Sequence, residues 1–234
     1  MPTSELDHQR DQLISIDFDR LRATRYQRPD EIGERLKARQ RRPLVHGDGR
    51  LLIIAADHPA RGALGVGNDP VAMASRYDLL RRLIVALSRP GVDGVLGTPD
   101  IIEDLAILGA LEGKVAVGSM NRGGLRGSVF EMDDRYTGFT VDSLVEARLD
   151  AAKLLVRINL KDANTVRTLE KTANAVTASA HAKLPILLEP FMSDWANDRI
   201  VNDLSTEAVI SSVAIAAGLG GTSAYSWLKL PVVP

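Results

Sequence analysis

The sequence contains no cysteine. That removes disulfides, thiolate nucleophiles and cysteine metal sites together, and it fits a reducing compartment. Net charge is almost absent, −1 at neutral pH, so no bulk electrostatic pull toward nucleic acid or anionic membrane is expected. No uninterrupted apolar run approaches membrane-spanning length. The opening MPTSELDHQRDQL lacks the apolar core of a signal peptide, and the expected location is cytoplasmic. Four histidines, His8, His46, His58 and His181, stand apart with no HxH or HxxH pairing, and no metal site is expected from them.

What is present is ordinary in amount: 45% hydrophobic and 25% charged residues in a chain of 234, enough for one large domain. Up to about Asp48 the chain is polar and helix-prone, with arginines clustered in RLRATRYQRP and RLKARQRRP. One aromatic, Tyr26, accompanies those arginines between Arg20 and Arg42 and no nucleic-acid motif does, so residues 1–48 read as a helical extension packing on a domain at 49–234.

From Gly49 onward apolar runs alternate with helical patterns. LLIIAAD is a strand buried on both faces, and Asp69-Pro70 opens a helix over Val71 to Ser88. GVDGVLG is a second strand, followed by a helix through PDIIEDLAILGAL after the Thr98-Pro99 start signal. KVAVGS is a third strand, leading into the glycine-rich loop MNRGGLRGSVFEMDDRYTG. Thr140 or Asp142 caps a helix through SLVEARLDA. AKLLVRINL, PILLEP and AYSWLKLPVV are strands four to six, separated by helices over Thr165–Ala182 and Ser205–Ala217. This rhythm specifies a parallel sheet with crossover helices, either an open doubly wound sheet or a closed (β/α) barrel. GALGVGNDP lacks the GxGxxG order of a dinucleotide site. Asp57, Ser119, Asn159, Glu189 and Lys229 fall within or at the carboxyl ends of separate strands, which in a barrel converge on one mouth. The expected fold is therefore an α/β TIM (β/α)8 barrel, cut off after about six units. Its open edge would drive aggregation or pairing of copies, and a homo-oligomer is expected.

Lys229 sits in WLKLPVV among apolar residues, and burial there would favour its neutral, nucleophilic amine. Lys153 in strand four could supply a second cation. Glu189 in strand five could hold a lysine and pass protons, and Asp57 is a second carboxylate at the rim. Singly, each of these could be structural. Arg122 and Arg126 in NRGGLRG, together with Arg61, are anion candidates, although solubilising loop arginines fit the same pattern. His58 is placed to hydrogen-bond substrate or orient Asp57, and Ser119 is a further substrate-binding candidate.

Asp57 followed by ARGAL resembles the first strand of the class I, Schiff-base-forming tagatose-bisphosphate aldolases. AAKLLVRINL, LPILLEP and WLKLPVV resemble their fourth, fifth and sixth strands, in the same order from about Leu51 to the end. The resemblance implies a metal-independent lyase needing no cofactor, with Lys229 as imine lysine and Glu189 as proton shuttle. Lys153 would then be the electrostatic partner and Asp57 a hydroxyl or proton-transfer group. DHPARG and GSMNRGG look closer to aldolase-like barrels of bacterial inositol catabolism, often labelled deoxyribose-phosphate aldolase-like. That implies cleavage of 5-dehydro-2-deoxygluconate 6-phosphate to dihydroxyacetone phosphate and malonate semialdehyde, with deoxyribose 5-phosphate or a fructose/tagatose bisphosphate as alternative substrates. DHPARGAL carries two more residues before the turn than the tagatose enzymes. Strands seven and eight, whose loops commonly hold the phosphate, are not in the sequence. A non-catalytic barrel-derived binding protein is the rival from another class.

Overall fold

The computed structural model describes residues 16–121, 124–197 and 199–232. Helices α1 (Phe18–Gln27) and α2 (Asp30–Ala38) precede the sheet. The parallel strands are β1 (Ile53–Ala55), β2 (Gly94–Gly97), β3 (Val115–Ser119), β4 (Ala151–Ile158), β5 (Ile186–Ala196) and β7 (Ser226–Leu228), paired in that order. Between them run α3 (Arg76–Leu87), α4 (Pro99–Ile107), α5 (Val141–Glu146), α6 (Asn164–His181) and α7 (Thr206–Ala217). The result is a curled, parallel-rich half-barrel in which, among the described residues, β1 and β7 have no outer neighbour.

Register decides which side chains face inward. The pairs Ala55–Leu96, Leu96–Val117, Val117–Ala151, Lys153–Leu187 and Leu187–Trp227 share one face, because side chains alternate along a strand and stay level between paired residues. At the bottom of that concave face Leu96, Val115, Val117 and Ala151 form a small apolar cluster. The opposite face, with Val95, Ala116, Leu154, Val156, Ile186 and Leu188, packs under the helices as the main core. Such two-sided burial explains why strands two to five read as continuous apolar runs.

The basic N-terminal stretch is absorbed by acids of α4 and of the amino end of the sheet. Arg25 pairs with Asp104 at 2.6 Å, and Arg42 with Asp93 at 2.5 Å. Arg39, almost fully buried, meets Asp150 at 2.7 Å and also donates to the Lys114 and Arg148 carbonyls. These arginines therefore brace the sheet floor.

Two elements differ from the sequence expectation. The helix expected from Val71 starts at Arg76, capped by Ser75. Asp69 is used earlier: its carboxylate accepts the Val71 N–H at 2.9 Å, and its backbone pairs with Val66 to close a tight turn. The fifth strand runs on past Pro190 to Ala196 and folds back as β6 (Arg199–Asp203), an antiparallel hairpin absent from the expectation. Met192 is paired to Ile158 on one side and Asp203 on the other, so β6 stands on the β7 edge of β5, beyond the end of β7. The helix after Thr140 begins as expected, with a Thr140–Ser143 capping box.

Candidate active site

The chemistry-bearing side chains lie one layer above the apolar floor. Asp57 follows β1 by two residues, Ser119 ends β3, Lys153 lies in β4, Glu189 in β5, and Lys229 follows β7 directly. The Lys229 N–H donates to the Leu188 carbonyl at 2.8 Å, extending the β5–β7 register by one residue and setting Lys229 beside Glu189.

Lys153 Nζ is 2.8 Å from Asp57 Oδ2 and 2.8 Å from Glu189 Oε2. The other Glu189 oxygen, Oε1, accepts a hydrogen bond from Lys229 Nζ. Two ammonium groups and two carboxylates thus form one chain, Asp57–Lys153–Glu189–Lys229. Ser119, fully buried and level with Lys153, has its hydroxyl within donating reach of either Asp57 Oδ2 at 3.3 Å or the Asn121 carbonyl at 2.9 Å. Asn121 continues the β3–β4 ladder with its side chain, accepting from the Leu155 N–H at 3.0 Å and donating to the Leu155 carbonyl at 2.7 Å.

Burial alone would raise the carboxyl pKa of Asp57. The adjacent Lys153 ammonium outweighs it and leaves Asp57 below its ordinary value. Glu189 behaves in the same way, with both lysines opposing burial. Burial likewise favours a neutral Lys153, but two flanking carboxylates raise its pKa above the usual lysine value. Lys153 is therefore a fixed ammonium with no free proton-acceptor role.

Lys229 differs. Its side chain is 39% exposed against 4% for Lys153. The apolar enclosure expected from Trp227, Leu228 and Leu230 is not present, since all three are exposed, lying at and just beyond a strand whose outer edge carries no described neighbour. Lys229 instead opens on a cavity of about 100 Å³ that Asp57, His58, Arg61, Lys153 and Glu189 also line. His58 Nδ1 lies 3.7 Å from Asp57 Oδ1, and burial, aided by Arg61 and Lys153, lowers its pKa and keeps it neutral.

Of the remaining expected residues, Arg61 lines this inner cavity and also a larger one of about 500 Å³ immediately beyond it, where Arg126 lies. Arg122 falls outside the described residues. Asn159 does not join the mouth. Its N–H donates to Thr165 Oγ1 at 3.0 Å and its amide to Asp194 at 3.2 Å, which fastens the start of α6. Sequence reasoning missed Arg157, 6% exposed, and the hairpin residues Arg199 and Asn202. Arg157 was legible in principle: it stands four residues after Lys153 in β4, on the same alternating face.

The chain is an α/β half-barrel with a lysine–carboxylate chain at the carboxyl ends of its strands. Its fold is similar to that of two solved aldolases. One is a Schiff base forming fructose-1,6-bisphosphate aldolase, at TM-score 0.51 and 19% identity; the other is an archaeal fructose 1,6-bisphosphate aldolase, at 0.50 and 18%. Each match covers 79% of this chain and 66% of the aldolase, and at these identities the likeness is one of fold. The chain belongs to the Cgl0159-like family, whose model matches residues 49–234. It is 64% identical to the crystal structure of Cgl0159 from Corynebacterium glutamicum (Brevibacterium flavum), at TM-score 0.91, over 93% of this chain and 74% of that one. Among curated proteins the sequence finds no match. No helix of the described residues is long and apolar enough to cross a membrane.

Proposed function

We propose that the protein is a metal-independent class I aldolase, an aldehyde-lyase that cleaves a phosphorylated sugar or sugar acid through an imine on Lys229. The observation that carries this reading is the asymmetry between the two lysines that share Glu189. Both lysines line the cavity, but Lys153 is sealed between two carboxylates and only 4% exposed, whereas Lys229 touches one carboxylate and is 39% exposed. A nucleophilic amine has to reach a carbonyl carbon, and only Lys229 of the pair is open to one.

The chemistry follows from that arrangement. Lys229 passes a proton to Glu189 and its amine attacks the substrate carbonyl, a second proton moving from nitrogen to the new alkoxide to form a carbinolamine. Glu189, on the same nitrogen, protonates the departing hydroxyl, and water leaves to give an iminium. Loss of the Lys229 ammonium removes one of the two cations that depress Glu189, so its proton affinity rises at the step that needs an acid. The iminium withdraws the electron pair of the C–C bond two carbons away as Asp57 or Glu189 takes the β-hydroxyl proton. The aldehyde departs, and protonation and hydrolysis of the enamine release the second product. The Lys153 ammonium, held at 2.8 Å from both carboxylates, keeps them ionised between turnovers.

The truncated-barrel reading and a separate N-terminal extension belong to the same proposal. The resemblance of DHPARG and GSMNRGG favours 5-dehydro-2-deoxygluconate 6-phosphate as substrate, with deoxyribose 5-phosphate as the alternative. Borohydride trapping with a panel of sugar phosphates, followed by peptide mapping, tests the reading. A reduced adduct on Lys229 is expected. An adduct on Lys153 instead would overturn the assignment of the imine to Lys229, and no adduct from folded protein would remove the imine mechanism and leave a binding protein.

A further inference from the structure

The larger cavity is more cationic than the imine chemistry requires. Arg61, Arg126, Arg157 and Arg199 line it, with Glu131 as the one described acid in its wall. Glu131 is already committed. Its Oε1 accepts from Arg157 Nη1 at 3.0 Å and its Oε2 from the Gly127 N–H at 2.9 Å. Among the described residues no carboxylate pairs with Arg61, Arg126 or Arg199.

Arg157 is built into the fold rather than lying on its surface. It is 6% exposed, and its Nε has no hydrogen-bond partner. A buried unpaired guanidinium N–H is costly, and one salt bridge does not meet its five donors. The loop carrying Glu131 closes tightly around it: Gly124 has φ +80°, and a Cβ there would stand 2.7 Å from Arg157 Nη1. Arg126 donates its backbone N–H to the Arg61 carbonyl at 2.9 Å, which ties the turn after β1 to the loop after β3. Arg199 comes from the β5–β6 hairpin. Four separate elements therefore present guanidinium groups to one space.

That space is continuous with the imine site, because Arg61 and Asn202 line both cavities. Arg157 shares the inward face of β4 with Lys153, four residues further along, or about 13 Å of strand.

We propose that the outer cavity binds a phosphate monoester at the end of the substrate remote from the carbon held by Lys229, with Arg61, Arg126, Arg157 and Arg199 as its cationic wall. This rests on the aldolase reading and adds the far end of the substrate to it. It selects deoxyribose 5-phosphate or a sugar bisphosphate over 5-dehydro-2-deoxygluconate 6-phosphate, whose phosphate adjoins its ketone and whose remote end is a carboxylate. Planar guanidinium forks match phosphate oxygens in pairs, and a dianion suits a wall of four cations and one spent carboxylate.

The test is calorimetric titration with inorganic phosphate at fixed ionic strength, with malonate as the carboxylate comparison. Wild type and Lys229→Met are expected to bind phosphate equally, and Arg126→Gln/Arg199→Gln at least tenfold more weakly. Both arginines are exposed and without described side-chain partners, so the fold is retained. Val201→Glu, which sets a carboxylate in the same wall, should weaken phosphate by a similar factor. Undiminished binding in both variants, no binding to wild type, or tighter binding of malonate than phosphate would each overturn the proposal. Phosphate binding by Lys229→Met is read without any imine, and trapping of an unphosphorylated ketone on wild type is read without the anion site. The two readings therefore fail separately.

Discussion

Glu189 holds Lys153 with one carboxylate oxygen and Lys229 with the other, so the buried and the accessible amine are joined through a single side chain. Neither lysine can change its charge without altering the proton affinity of the carboxylate between them.

Glu189→Gln keeps the shape and removes the proton transfer. Turnover should fall by about 10²–10⁴-fold, the usual worth of a positioned acid–base group. Borohydride trapping on Lys229 should continue at a reduced rate. Unchanged turnover would remove Glu189 from the chemistry.

Lys153→Met leaves Asp57 as a buried carboxylate beside a half-buried, neutral His58. Loss of one member of such a pair costs about 3–5 kcal/mol, measurable as a lower urea midpoint. The double variant Lys153→Met/Asp57→Asn should recover part of that loss, because it removes the stranded charge as well as its partner. A single variant as stable as wild type would contradict the ion-pair geometry.

Stability should depend on pH in a direction set by these groups. Asp57 and Glu189 titrate below their ordinary values in the folded chain. Their contribution is complete above the unfolded values near about pH 4 and is lost as pH falls through the lower folded ones. Lys153 is raised, so its contribution is complete below about pH 10.4 and is lost as pH rises through its higher folded value. In Lys153→Met the alkaline contribution should vanish and the acid limb should shrink, because burial unopposed by the ammonium raises the folded Asp57 pKa above its unfolded value, read from urea midpoints across the range.

Arg39→Met tests the opposite end of the sheet. Arg39 and Asp150 are 1% and 3% exposed in their side chains and lie at the amino ends of the strands. Removing the arginine should cost about 3–5 kcal/mol with no change in KM, since nothing at the mouth touches it. A raised KM would mean that the floor and the mouth are coupled.

The central strands β3 and β4 and the start of β5 were legible because they are buried on both faces, and a polar residue inside such a run, Lys153 or Glu189, has few explanations other than a wet inner face. β1, expected to be buried on both faces, is instead half-buried to exposed as an edge strand, as is β7. The hairpin was not legible. FMSDWA and RIVND mix polar and apolar residues, and the turn between them signals itself only through Asn197, which adopts φ 51°. The start of α3 was misread because Asp69-Pro70 suits a turn as well as a helix start, and the turn geometry at Val66–Asp69 prevailed. Lys229 lies beside Glu189 in a more open setting than its neighbours suggested, since the apolar character of Trp227 and Leu230 says nothing about what covers them.

β4 acts as a measuring rod. Lys153 and Arg157 are fixed on one continuous strand, so the span between the lysine layer and the guanidinium layer is set by backbone rise instead of by rotamers. Exchanging one side chain could not change that span, and a single residue inserted between them would turn Arg157 to the other face of the sheet.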